Sequence, residues 1–260
     1  MEEAYAGIDV AFAKNKRLPL VVCVRRQARL KPLPLRSAAA KPPVGQGNAR
    51  ILQDTQSVDR FADEAAAYLR SVESEFDIDI RRVAIDAPSD PKVDGTNRRQ
   101  CEVGLDHQRI SCITTPSLLQ FKAIRKEASR HLKLGGAESR IPAANQLWML
   151  VGFALFRRLR QDWECLEVFP QAIAAVLGAR HVHKSIRDGL LTQLAAVAKH
   201  TRWPIVNGIA SLSDIAYGSY HDRLDAYLSA WVASLDDSGR LPIGNPPNDA
   251  IWIPDLSKTL

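Results

Sequence analysis

The order of apolar and polar positions divides the chain into short strand-like runs followed by longer helical ones. AYAGIDVAFA and LPLVVCVRR read as two strands joined by the polar, basic KNKR. ARLKPLPLR predicts a third strand at a sheet edge, because Pro32 and Pro34 donate no ladder hydrogen bond. After the loop KPPVGQGN, residues Val58, Phe61, Ala65, Tyr68, Leu69 and Val72 recur at helical spacing, with Ser57 the expected N-cap. RRVAIDAP then reads as a buried strand stopped by Pro88. The opening order is β, β, β, α, β, which points to an antiparallel start.

The stretch from Ser89 to about Ala143 is polar and basic, and reads as an insertion of loops and short helices. AANQLWMLVGFALFRRLR restores a strong helix whose closing arginines suit a helix C-terminus. WECLEVFP is the next strand, closed by proline, and QAIAAVLG is a helix with a glycine stop. SIRDGLLTQLAAVAKH and HDRLDAYLSAWVASL are further helices, and AIWIPDL is a short strand or extended segment. The expected architecture is one α/β domain over residues 1–260, with the insertion at about 89–143.

Composition narrows this picture. Hydrophobic residues make up 46% of the 260, enough for a substantial core, yet no run of about 18 apolar residues appears. The start, MEEAYAGIDV, is acidic where a signal peptide would be basic and then apolar. A soluble, cytoplasmic protein without a membrane partner is expected. Cys23, Cys101, Cys112 and Cys165 form no CxxC pair, which argues for reduced thiols rather than a zinc knuckle or disulfide framework. The formal charge of +6 leans towards polyanionic partners such as nucleic acid.

The chemistry lies in where the acids fall. Asp9, Asp86 and Glu167 each sit within the apolar residues of a strand-like run. An ionised carboxylate there requires a cation, an ion-pair partner or the wet edge of the sheet. For any one of them, a turn cap or an arginine partner is the ordinary explanation. Asp222 and Asp225, three apart on one face of a late helix, change that balance, because sites in α/β sheets collect at strand ends. Carboxylates that meet there repel unless a divalent cation compensates. Hard oxygen ligands suit Mg2+ or Mn2+, and two such ions about 4 Å apart clamp both the attacking and the leaving oxygen of a phosphodiester.

These residues resemble a known family. GIDVA, AIDAP, EVFP, HKSIRDG, DRLDAYLSAW and IWIP occur in the order seen in domain of unknown function 429, regarded as predicted nucleases of the ribonuclease H-like fold. The resemblance runs from about Ala4 to Pro254. It implies a mixed sheet of three antiparallel and then parallel strands flanked by helices. By motif position it also implies an acidic centre of Asp9, Asp86, Glu167 and Asp225, with Lys184 and Arg187 nearby to bind substrate. NRRQCE approximates the family's arginine-plus-acid stretch, which adds Arg98 and Arg99 as substrate-binding candidates, whereas SDPKVDG departs from the glycine-containing turn usual after AIDAP.

The expected activity is therefore two-metal hydrolysis of nucleic acid. Asp9 bridges two magnesium or manganese ions, Asp86 and Asp225 complete their shells, and Glu167 or Asp222 contributes. His221, beside the acidic pair, is a candidate for proton transfer, though such a histidine more often caps a helix. Lys122, Arg125, Lys126, Arg130 and Lys133 lie close to one helical face that suits a phosphate backbone or, more simply, solvent. His181 and His183 are assigned no metal, and the five tryptophans read as packing aromatics. Two rivals stand beside the nuclease reading. One is a non-catalytic ribonuclease H-like module that binds nucleic acid or protein. The other is an actin-like small-molecule kinase, which GIDVA suggests but VAFAKNK, lacking the expected glycine and threonine, does not.

Overall fold

Residues Glu2–Asp9 form β1, Leu20–Arg26 form β2 and Arg29–Pro32 form β3. The computed structural model describes residues 1–179, 186–204 and 208–258. Two helices follow, α1 (Asn48–Gln53) and α2 (Ser57–Phe76), leading into β4 (Ile78–Asp86). The expected helix over Ser57–Phe76 is found at those bounds, but its N-cap is Gln56. The Ser57 hydroxyl donates instead to the Asp54 carbonyl at 2.7 Å. The 89–143 stretch contains α3 (Gln100–His107) and α4 (Leu118–Lys133). The single helix expected from AANQLWMLVGFALFRRLR is broken at Trp148 into α5 (Ala144–Leu147) and α6 (Met149–Leu159). The chain continues through β5 (Glu164–Glu167), α7 (Pro170–Val176), α8 (Arg187–Thr201) and α9 (Tyr220–Ala233). A closing hairpin pairs β6 (Arg240–Asn245) with β7 (Asp249–Pro254).

The main sheet has the strand order β3-β2-β1-β4-β5. β2 runs antiparallel to both β1 and β3, while β4 is parallel to β1 and to β5. This mixed sheet flanked by helices is the expected fold class and is consistent with a ribonuclease H-like arrangement. Strand alternation sorts the side chains into two layers. Ala4, Ala6 and Ile8 of β1, with Leu20, Val22 and Val24 of β2, pack against α2 and α6. Val21 and Cys23 pack on the opposite face with α8 and α9.

β4 changes phase partway along. Ala4 pairs with Ile80 but Tyr5 pairs with Arg82, so Arg81 is an extra residue, a β-bulge. Before it, Ile78 and Ile80 face α2; after it, Val83 and Ile85 do so, and the even-numbered positions turn towards α9. Arg82 and Asp86 are among the positions turned to α9.

α9 lies directly on β1. Its residues Arg223 to Ala233 are all buried, because the helix is covered on both sides rather than along one stripe. Gly7 permits the close approach: a Cβ there would sit 2.0 Å from the Ala226 carbonyl oxygen and 2.3 Å from the Ala230 nitrogen. At the end of the helix, Arg82 Nη1 donates to the carbonyls of Ala233 (2.8 Å) and Leu235 (2.9 Å). Arg25 Nη2 donates to the Ser234 carbonyl at 3.2 Å. Cations placed there satisfy orphan carbonyls and oppose the negative end of the helix dipole. All four cysteines are free thiols. Among the described residues, no helix is long and apolar enough to cross a membrane.

Candidate metal centre

The C-terminal ends of β1 and β4 bring two aspartates side by side, since Asp9 and Asp86 are register partners in a parallel pair. Both are half-buried, as befits the wet end of a sheet. Asp225 comes from the second turn of α9 and is 4% exposed. One carboxylate oxygen from each of the three lies within 4.8 Å of the others.

Local sequence fixes each contributor. Asp9 lies two residues beyond Gly7 and therefore on the same face of β1, the face that α9 covers. Asp86 reaches that face because of the bulge at Arg81. The start of α9 is held by a capping box. The Asp222 carboxylate accepts from the Ser219 backbone nitrogen at 2.7 Å, and the Ser219 hydroxyl accepts from the Asp222 nitrogen at 3.4 Å. Asp225 follows three residues later on the same side of the helix.

Three hard carboxylate donors so close together suit a magnesium or manganese ion, which would also offset their mutual repulsion. Asp9, Asp86 and Asp225 are the residues that would hold it.

Several residues expected at this centre are engaged elsewhere. Glu167 pairs in register with Ile85, so strand alternation sends it to the face opposite Asp86. There Arg99 binds it through two bonds, Nη1 to Oε1 at 2.8 Å and Nη2 to Oε2 at 2.7 Å, and the Ser89 nitrogen donates at 2.8 Å. Burial raises the Glu167 carboxyl above its ordinary value, and the Arg99 charge and hydrogen bonds oppose that rise. Burial also works against the Arg99 charge, but the Glu167 carboxylate more than offsets it and keeps the guanidinium protonated. Glu167 is thus half of a buried ion pair outside the three-aspartate cluster, and Arg99 is its partner rather than a free substrate-binding cation.

Asp222 is likewise spent on the cap, and its other oxygen lies 3.0 Å from His221 Nε2. His221 Nδ1 also lies 3.1 Å from the Ser219 hydroxyl, so this histidine serves the start of α9. Arg98 donates to Cys112 Sγ at 2.9 Å and lies 3.2 Å from Asp106. Arg187 is exposed at the start of α8 and shares a shallow depression with His221. Lys184, His181 and His183 lie outside the described residues.

Two features escaped the sequence reading. Asp249 of β7 accepts from the backbone nitrogens of Gln100 (2.7 Å) and Cys101 (3.2 Å), capping α3 from outside it. Its Oδ1 also lies 3.3 Å from Arg99 Nε. The second is a cavity of about 350 Å3 that opens beside Asp86. Its wall includes Arg99, Glu102, Thr115, Trp148, Glu167 and Phe169.

Fold and site together define an α/β protein with a mixed five-stranded sheet and three clustered aspartates at its carboxyl edge. A family model described as protein of unknown function (DUF429) matches residues 7–249, and the chain belongs to that family. Searches of the curated proteins and of the solved structures returned no match.

Proposed function

We propose that the protein is a metal-dependent nuclease that hydrolyses phosphodiester bonds of nucleic acid, with Asp9, Asp86 and Asp225 as its metal-binding centre. The observation that carries this reading is the convergence of those three carboxylates to within 4.8 Å at the sheet's carboxyl edge. Divalent ions held there would activate water and stabilise the charge that develops on the leaving oxygen. The chain's own part is to hold three oxygens in fixed relation from two strand ends and one clamped helix, so that little reorganisation accompanies reaction. Nucleic acid as partner is supported by the net charge of +6 and by exposed Lys122, Lys126, Arg130 and Lys133 on α4.

Manganese titration by calorimetry tests the centre on wild type and on Asp9→Asn and Asp225→Asn, with cleavage of labelled DNA and RNA panels on the same samples. Binding by wild type alone, together with metal-dependent cutting by wild type alone, is the expected result. Thermal unfolding provides a second readout. At a hundredfold excess over Kd, manganese should stabilise wild type by about 2.7 kcal/mol and leave both variants unchanged. Equal manganese response in all three proteins would overturn the reading in favour of a non-catalytic binding module.

A further inference from the structure

The cavity beside Asp86 is built unlike a passage for a nucleic-acid backbone. At about 350 Å3 it falls in the range of small-molecule pockets, and its wall carries two half-buried aromatic rings, Trp148 and Phe169. A phosphate backbone would call for free cations there, but the cavity's guanidinium, Arg99, is bound to Glu167 and Asp249. The polar complement includes one group with its capacity unused. Thr115 is 1% exposed, and its hydroxyl has no hydrogen-bond partner among the described residues. Its backbone nitrogen is satisfied, donating to Glu102 Oε1 at 2.8 Å. That hydroxyl, which can both donate and accept, is covered behind an apolar, aromatic wall and becomes available to the edge of a heterocycle when Thr115 shifts as the cavity fills.

The cavity also adjoins the three-aspartate cluster, because Asp86 lines the one and contributes its carboxylate to the other. We propose that it receives the nucleobase of the nucleotide next to the scissile phosphate, so that the substrate is a single strand or a nucleotide extruded from a duplex. This inference rests on the nuclease reading for its scissile phosphate. A base enclosed by protein cannot remain paired and stacked in a helix, and aromatic walls hold bases of any sequence by stacking. Thr115 supplies the one directional contact to the base edge. The strand beyond the cavity meets α4, which begins two residues after Thr115 at the Ser117 cap and exposes its basic residues along its length.

The test uses nucleoside 5′- and 3′-monophosphates as probes, titrated by calorimetry into the full chain in EDTA and again with manganese, with ribose 5-phosphate as the base-free comparison. At least one nucleotide should bind about tenfold or more tightly than ribose 5-phosphate in EDTA. Trp148→Ala should weaken that binding about tenfold, and the near-isosteric Thr115→Val should narrow the differences between bases while leaving the thermal midpoint close to wild type. Nucleotides that bind no better than ribose 5-phosphate, or Thr115→Val and Trp148→Ala variants that bind like wild type, would overturn the proposal. An oligonucleotide lacking one base next to the cleavage position separates it from the nuclease reading. Metal-dependent cutting at an undiminished rate on that strand overturns the base pocket and leaves the nuclease standing. Base-dependent nucleotide binding that Trp148→Ala abolishes, without cutting of any strand, supports the pocket and overturns the nuclease.

Discussion

Gly7→Ala is the smallest change that should separate the three aspartates without touching any of them. The new Cβ would stand 2.0 Å from the Ala226 carbonyl oxygen, 2.3 Å from the Ala230 nitrogen and 2.9 Å from the Ala230 Cα. All three are backbone atoms, so no side-chain rotation relieves the contact. Restoring an ordinary 3.4 Å separation from that oxygen requires α9 to retreat by about 1.4 Å. Two effects on stability compete. Gly7 has no positive φ, so alanine fits the backbone conformation and gains about 0.4–1 kcal/mol by restricting the unfolded chain. Overpacking a filled interior costs about 1–3 kcal/mol, and a backbone obstacle belongs at the upper end of that range. The clash wins, with a net loss of about 2 kcal/mol and a fall in Tm of about 4–8 °C for a chain of this size. The effect on the centre is larger in proportion. Asp225 precedes Ala226 and moves with it, and magnesium demands oxygen distances near 2.0–2.1 Å, so a retreat of this size removes one ligand from a shared ion. Urea unfolding and manganese calorimetry on wild type and Gly7→Ala provide the comparison. A variant with unchanged stability and unchanged manganese affinity would refute the claim that contact between α9 and β1 positions the site.

Two further predictions concern the residues around the cavity. Arg99→Met leaves Glu167 buried without its partner and should cost about 3–5 kcal/mol in urea unfolding, whereas Arg99→Met combined with Glu167→Met should recover most of that loss. Strictly additive losses would sink the ion-pair account. At Asp249, burial raises the carboxyl, but hydrogen bonds from Cys101 and the Gln100 and Cys101 backbone outweigh it and hold the carboxyl below its ordinary 3.8. Its stabilising contribution is therefore complete above that ordinary value and is lost as pH falls through the lowered one. Asp249→Asn should lower stability by about 1 kcal/mol at pH 6 and shrink the difference between pH 6 and pH 3. An identical acid dependence in both proteins would count against the cap.

Much of the fold could be read from the chain because burial on both sides leaves plain periodicities. The helix over Ser57–Phe76 was legible from its apolar spacing, and β1 and β4 from the short apolar runs that precede Asp9 and Asp86. β6 was not, since RLPIGN carries a proline and alternates weakly; it exists through its pairing with β7. The break at Trp148 interrupts a stretch whose apolar pattern continues unbroken, so periodicity alone conceals it. At the site, Asp9, Asp86 and Asp225 stood out as acids inside apolar runs. Glu167 stood out for the same reason and was misplaced, because face depends on register and register is not written in one strand. Arg99 shows why a basic residue in a polar stretch is an ambiguous sign: nothing local marks that its charge will be buried against a glutamate 68 positions away.

The extra residue in β4 makes chain length a carrier of information. Arg82 and Asp86 are four apart and so travel together: the arginine that clamps the end of α9 and the aspartate that meets Asp225 are delivered to one face by a single offset. Deleting Arg81 would only remove the bulge, leaving Ile80 and Arg82 opposite Ala4 and Tyr5 and Asp86 still facing α9, whereas deleting one residue between Arg82 and Asp86 would turn the aspartate towards α2 and bring Ile85 round to α9. A one-residue gap between Arg82 and Asp86 should therefore disable the centre more thoroughly than most substitutions, and that spacing works as a parity bit for which side of the sheet holds the acid.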